Sequence, residues 1–253
     1  MYPEIIKLGP VSIYSYGLML GIAFITASYL FTLELKRSNM NVNIASEVTM
    51  LALIFGIVGA KMFHIFEYWS EFIDNPKMAF SPAGLTFYGG FLLATLAVFI
   101  YIKRKKVSFL KIADLNAPGL ALAYGIARIG CHLSGDGDYG IVSNLPWAYS
   151  YLNGTVPTPP GVTVHPTPIY ELIAGILIFA FLWSRRIKYD VNGKLFAVYL
   201  ILISVSRFLV ETIRINPRIY LGMSEAQLIS VALVIFGVLL LVFLRKRVQA
   251  TNN

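Results

Sequence analysis

Charge is scarce in this chain. Only 13% of its 253 residues are Asp, Glu, Lys or Arg, against 57% hydrophobic, and mean hydropathy is +0.69. An ordinary soluble domain carries about 25% charged residues, roughly twice this share, so a soluble enzyme and a disordered chain are both excluded. A single cysteine, Cys131, rules out an internal disulfide framework. Missing too are GxxxxGK[ST], HExxH, GxSxG and paired CxxC, which removes the phosphate loop, the zinc protease helix, the hydrolase elbow and the zinc ribbon. Gly135-Asp136-Gly137-Asp138-Tyr139-Gly140 has the composition of a metal-binding turn but lacks the further ligands and terminal Glu of a calcium loop.

What the chain does have is long apolar runs. About 20 residues of helix cross a bilayer core, and seven stretches qualify: about 11–33, 46–67, 84–102, 112–133, 168–184, 195–213 and 224–244. Short alternating segments of a membrane barrel are absent. The first stretch reads as a span rather than a cleavable signal, since Glu4 and a lone Lys7 precede it and no small-residue cleavage motif follows. Fourteen Lys and Arg lie in alternate connections and the tail: Lys36 and Arg37, the 103–111 cluster, Arg185 to Lys194, and Arg245 to Arg247. Only four, Lys7, Lys77, Arg214 and Arg218, fall on the other side. Cytoplasmic loops are enriched in Lys and Arg. The expected architecture is therefore an all-α membrane protein of seven transmembrane helices, with the N-terminus outside and the C-terminus cytoplasmic. Residues 1–253 form one polytopic domain, and the Gly- and Pro-rich loop 134–167 lies outside with room for one small substructure. The net charge of +8 is topological, so nucleic acid is not needed to explain it.

Three basic residues, Lys61, Arg128 and Arg207, fall inside spans. Charge within a bilayer is expensive and marks cavities and sites, although long basic side chains near a span end also snorkel. Both readings are open for Lys61 and Arg128. Arg207 begins Arg207-Phe-Leu-Val-Glu211-Thr-Ile-Arg214, in which positions i, i+4 and i+7 share a helix face. Such a ladder is either a structural ion-pair seam or a grip for an anionic headgroup, because guanidinium holds phosphate through two parallel hydrogen bonds. Glu171, in His165-Pro-Thr-Pro-Ile-Tyr170-Glu171, suits the first turn of a helix by its charge alone. Tyr14, Tyr16 and Tyr88 suit the outer interface. Gly89-Gly90 would permit close helix approach or backbone access to a ligand. Cys131 and His132 are neighbours on a helix and point in different directions, so a buried small residue is the favoured reading of Cys131.

Several segments occur together in order: Tyr16-Gly17-Leu18-Met19, Gly59-Ala60-Lys61, Phe87-Tyr88-Gly89-Gly90 and Asp114-Leu-Asn-Ala117-Pro118. Then come Ala127-Arg128-Ile-Gly130, His165 to Glu171, Arg207 to Arg214 and Met223-Ser-Glu-Ala-Gln227. This collinear set resembles the bacterial prolipoprotein diacylglyceryl transferase family over nearly the whole chain. The resemblance implies a bacterial inner-membrane enzyme. It would move the diacylglyceryl group of phosphatidylglycerol to the thiol of a lipobox cysteine in a lipoprotein precursor, releasing glycerol phosphate, with no cofactor. It implies catalytic residues Tyr88, Arg128, Arg207 and Glu211. Tyr16, Lys61, Gly89, Gly90, Arg128, Arg214, His165 and Glu171 would contact substrate. Tyr88, or else His165 or His132, would activate the thiol.

The chain departs from the family pattern in places. Ser-Phe-His-Gly-Gly carries Tyr88 at its His, and Gly-Asn-Phe-Ile-Asn-Gly-Glu becomes Gly130-Cys131-His132-Leu133-Ser134-Gly135-Asp136. Ile203 stands where a Tyr is common, His-Pro-Ser-Gln has become His165-Pro-Thr-Pro168, and the outer loop is short. The arginines persist while thiol-side positions change. Two alternatives stay open: a paralogue acting on a phospholipid with another acceptor, and a non-catalytic lipid-binding or lipid-moving protein.

Overall fold

A computed structural model describes residues 1–8, 11–81, 84, 86–188 and 191–252. A short antiparallel hairpin, β1 (Glu4–Leu8) with β2 (Val11–Tyr14), precedes α1 (Ser15–Arg37). Helix α2 (Asn43–Glu67) is followed by a short α3 (Trp69–Asp74), a 3₁₀ turn (Pro76–Phe80) and α4 (Phe87–Arg104). Then come α5 (Phe109–Ser134), α6 (Thr167–Arg185), α7 (Lys194–Glu211) and α8 (Glu225–Asn252). Each of the seven apolar stretches coincides with one long helix. Among the described residues, α1, α2, α6 and α8 are long and apolar enough to cross a membrane. Their exposed surface is hydrocarbon: Ile25 is 71% exposed, Leu239 61% and Phe243 60%. In water such a surface is a liability; in lipid it is ordinary.

Three features differ from the expectation. The first four residues of the first apolar stretch are strand, because β2 pairs with β1 and the helix starts only at Ser15, whose N–H and hydroxyl both donate to Pro3 O. Among the described residues, the regular secondary structure is thus helical apart from this hairpin and isolated bridges. Helix α3 and the 3₁₀ turn are too short to carry a span-length signal.

The chain divides into two compact units. Residues Thr32–Ile112 form one, dominated by α2 packed on α4. Glycine decides that crossing: a Cβ on Gly90 would sit 2.6 Å from Gly56 O, and Gly59 and Gly89 meet each other's backbone in the same way. Small residues let two helices approach to backbone distance, where dispersion replaces the hydrophobic effect. Gly89 and Gly90 therefore have a packing duty. Lys61 Nζ donates to Ser81 O at 2.9 Å and Gly84 O at 3.4 Å, both in this unit.

The other unit comprises Met1–Phe31 and Ala113–Asn253. Gly175 of α6 lies against Ala121 and Gly125 of α5, and Ala121, Ile178, Leu182 and Leu195 form a core. Asp114 accepts from Gly193 N at 2.6 Å and Phe196 N at 2.7 Å, so α5 caps the start of α7. In loop 135–166, Tyr139, Tyr151 and Val164 form a buried cluster, with Tyr151 stacked on Tyr139 and its hydroxyl 2.9 Å from His132 Nδ1.

Candidate active site

Arg128, on α5, is two turns from the helix end. Its Nε faces Glu171 Oε2 at 3.2 Å, and its Nη1 donates to Asp138 Oδ2 at 2.5 Å. The guanidinium also lies 4.8 Å from the centre of the Tyr124 ring, one helical turn back on α5. Glu171 is completely buried in the first turns of α6. Besides Arg128 it takes Arg207 Nη1 at 2.6 Å and the Tyr124 hydroxyl at 2.5 Å, and faces Arg214 Nη1 at 3.6 Å. Three arginines from α5, α7 and the segment after α7 thus converge on one carboxylate.

Arg207 reaches its i+4 neighbour Glu211 through Nη2 at 2.8 Å, as the helical spacing predicts. Glu211 is also completely buried and accepts from Asn216 Nδ2 at 2.6 Å and Ser224 Oγ at 2.8 Å. Ser224 and Gln227 form a capping box at the start of α8: Ser224 N donates to Gln227 Oε1, and Gln227 N donates to Ser224 Oγ. Arg218 joins this end by donating to Gln227 Oε1 at 2.6 Å and Glu211 O at 3.0 Å. Arg214 is almost wholly buried, with Asp138 on Nη2 and Glu211 3.7 Å from Nε.

The cluster therefore contains three guanidiniums and three carboxylates. Exposure is uneven: Glu171 and Glu211 are at 0% and the Arg214 side chain at 3%, whereas those of Arg128, Arg207 and Asp138 are at 19%, 21% and 26%. One side of the cluster is open and the other sealed. Burial raises the Asp138 carboxyl, but Arg128 and Arg214 outweigh it and hold the group below the usual carboxylate range. Burial and then the neighbouring Asp138 push the Asp136 carboxyl up.

The ladder of Arg207, Glu211 and Arg214 is joined to Arg128 through Glu171, which the residues alone suggested as a helix-entry carboxylate and the family resemblance as a substrate contact. Tyr16 is exposed in the first turn of α1 and lines a cleft of about 480 Å³ with Tyr14, Ser134, Asp136 and Thr155. His165 Nδ1 lies 3.1 Å from the Tyr170 hydroxyl, which also accepts from Trp147 Nε1 at 2.8 Å. Tyr88, Lys61, Gly89 and Gly90 belong to the Thr32–Ile112 unit, where Tyr88 stands exposed in the first turn of α4. Cys131 is buried, with Sγ 3.7 Å from Arg128 Nη1. Donor atoms of Cys131, Asp136 and Asp138 lie within 4.8 Å of one another. Three donors are fewer than an ordinary metal site uses, and two guanidiniums already occupy Asp138.

Sequence reasoning missed Tyr124, Asp138, Asn216 and Ser224. Tyr124 had a signal, its i−4 spacing from Arg128, and Ser224 had one in Ser-x-x-Gln. Asp138 had none, because its partners lie 10 and 76 residues away.

Comparison with known proteins bears on this constellation. The family model for prolipoprotein diacylglyceryl transferase matches residues 3–243. A phosphatidylglycerol–prolipoprotein diacylglyceryl transferase of Clostridium tetani (strain Massachusetts / E88) is 33% identical over 241 residues, covering 94% of this chain and 96% of that protein. One from Finegoldia magna is 31% identical over 249 residues, 96% of each chain. The Clostridium perfringens protein named as transferase 2 is 34% identical over 233 residues, 91% of this chain and 90% of its own.

Proposed function

The chain belongs to the prolipoprotein diacylglyceryl transferase family, and from that premise we propose that it transfers the diacylglyceryl group of phosphatidylglycerol to the thiol of a lipobox cysteine in lipoprotein precursors. The observation that carries the reading is the convergence of Arg128, Arg207 and Arg214 on buried carboxylates with one side open. The sulfur attacks the glyceryl carbon bearing the phosphate ester, and a C–S bond forms as the C–O bond breaks. Glycerol phosphate leaves with the bonding electrons, and the thiol proton passes to a base. Developing charge on the leaving phosphate oxygen is what fixed cations stabilise, and they do so best when already oriented.

In this reading Arg128 and Arg207, the partly exposed pair, contact the phosphate. Glu171 and Glu211 are positioning residues that hold the guanidinium planes, and Tyr124 backs Arg128. Arg214, nearly sealed, supplies field rather than contact. Tyr16 lines the approach. Tyr88 carries the thiol-side assignment from the family pattern alone, with Gly89 and Gly90 next to it in sequence and Lys61 in the same Thr32–Ile112 unit; a phenol of ordinary pKa near 10 needs positive charge nearby to act as a base. His165 is the second thiol-side candidate. The thiolate is the nucleophile, so the acceptor cysteine needs such help.

We place the chain in the bacterial cytoplasmic membrane with seven spans, N-terminus outside and C-terminus inside. The charge bias and the seven long helices support this; α4, α5 and α7, with charge at their ends or inside, complete the set. The acceptor is the signal peptide of a lipoprotein precursor. Purified protein given labelled phosphatidylglycerol and a lipobox peptide should release glycerol phosphate only with the peptide present. Release without it would point to hydrolysis or another acceptor, and no release to a lipid-binding protein.

A further inference from the structure

We propose that Asp138 is a resident counter-anion, which holds Arg128 and Arg214 in place before lipid arrives and gives up Arg128 to the incoming phosphate. This rests on the reading that the cluster receives a phosphodiester. With Arg128, Arg207 and Arg214 against Asp138, Glu171 and Glu211, the cluster is already neutral. Next outward, Arg218 and Asp136 add one charge of each sign. An entering phosphodiester brings a further negative charge, and like charges close together are costly at low dielectric. One carboxylate must yield. Glu171 and Glu211 are fully buried, and each carries several bonds that would be orphaned. The Asp138 side chain, 26% exposed, lies on the open side with Arg128 and Arg207.

The geometry lets Asp138 release Arg128 without dismantling the site. Arg128 has a second anchor in Glu171 and the Tyr124 ring, while Arg214, from which Glu171 and Glu211 stand off at 3.6 Å and 3.7 Å, stays on the other Asp138 oxygen. The Asp138 backbone is held independently. Thr167 Oγ1 donates to Asp138 O, Gly140 N donates to His165 O at 2.9 Å, and Ile141 N donates to Ile213 O at 2.8 Å. A side-chain rotation is therefore enough, and the loop stays put. The carboxylate that satisfies the arginines in the resting protein becomes a competitor for the anion they are built to hold. That would keep stray anions out and hasten release of glycerol phosphate.

The test uses the full-length protein in nanodiscs, with glycerol 1-phosphate as the probe and glycerol as the neutral control. Asp138→Asn keeps the shape and removes the charge. It should bind glycerol 1-phosphate about 10-fold more tightly, the factor that corresponds to 1.4 kcal/mol, with glycerol unaffected. The KM for phosphatidylglycerol should fall by a similar factor while kcat falls through slow product release, a split that a merely structural residue would not produce. Asp138→Glu should return both toward the wild-type values. Unchanged or weaker binding in a folded Asp138→Asn protein overturns the proposal. So does failure of both Asp138→Asn and Asp138→Ser to fold, since a displaceable side chain cannot be what holds the site together. If the wild type shows no transfer yet the variant still binds the probe more tightly, the transferase reading falls and this one stands.

Discussion

Replacing Glu171 by Gln removes one charge and almost no volume. The wild-type carboxylate is fully buried, with Arg207 at 2.6 Å, Arg128 at 3.2 Å and Arg214 at 3.6 Å. The amide can still accept from Arg207 or Tyr124 at one atom. At the other it turns N–H donors toward Arg128 and Arg214, so the cluster is left with an excess positive charge that solvent does not reach. Removing one partner of a buried ion pair typically costs about 3–5 kcal/mol. At about 2–4 °C per kcal/mol for a chain of this size, the melting temperature should fall by roughly 6–20 °C. The assay is thermal unfolding of purified protein in one detergent, followed by intrinsic fluorescence. The decisive comparison is Glu171→Gln with Arg207→Gln added, which restores neutrality with Arg128 and Arg214 facing Asp138 and Glu211. The double variant should be less destabilised than the sum of the singles, by about 0.5–3 kcal/mol. A single variant melting within 2 °C of wild type, or strictly additive singles, would refute the idea that Glu171 is the electrostatic centre of the site.

Arg128→Lys retains charge but cannot serve Asp138, Glu171 and the Tyr124 ring from one nitrogen; turnover should drop about 10²–10³-fold, as for loss of one oxyanion-type donor, and near-normal transfer would remove Arg128 from the reaction. Gly90→Val places a side chain where a Cβ already lies 2.6 Å from Gly56 O, so overpacking should cost about 1–3 kcal/mol in a melt. Gly21→Ala, with nothing within 4 Å, should be neutral or slightly stabilising; equal melts for the two would dismiss the close α2–α4 crossing. For topology, a reporter fused after Arg247 should report cytoplasm and one inserted in loop 134–167 the outer side, and both on one side would defeat the seven-span arrangement.

By itself the sequence determined where the long helices are. Seven apolar stretches lie within four residues of the helix ends at every boundary but the last, where α8 runs on to Asn252. This works because a span-length run of apolar residues is a one-dimensional property: the bilayer requires it whatever the neighbours are. The Arg207–Glu211 pair was legible for a related reason, since i and i+4 are neighbours on any helix, and the Ser224–Gln227 capping box follows the same local logic. Only the tertiary structure decided that Glu171 joins three arginines, that Asp138 closes the open side, and that Gly89 and Gly90 meet Gly56 and Gly59. Those facts depend on helix rotation and on which loop folds back where. The energies that decide them are pairwise between residues 10 to 76 positions apart, and no periodicity in the chain encodes such pairs. Composition places the protein in a membrane; packing turns its few charges from isolated costs into one neutral, oriented cluster.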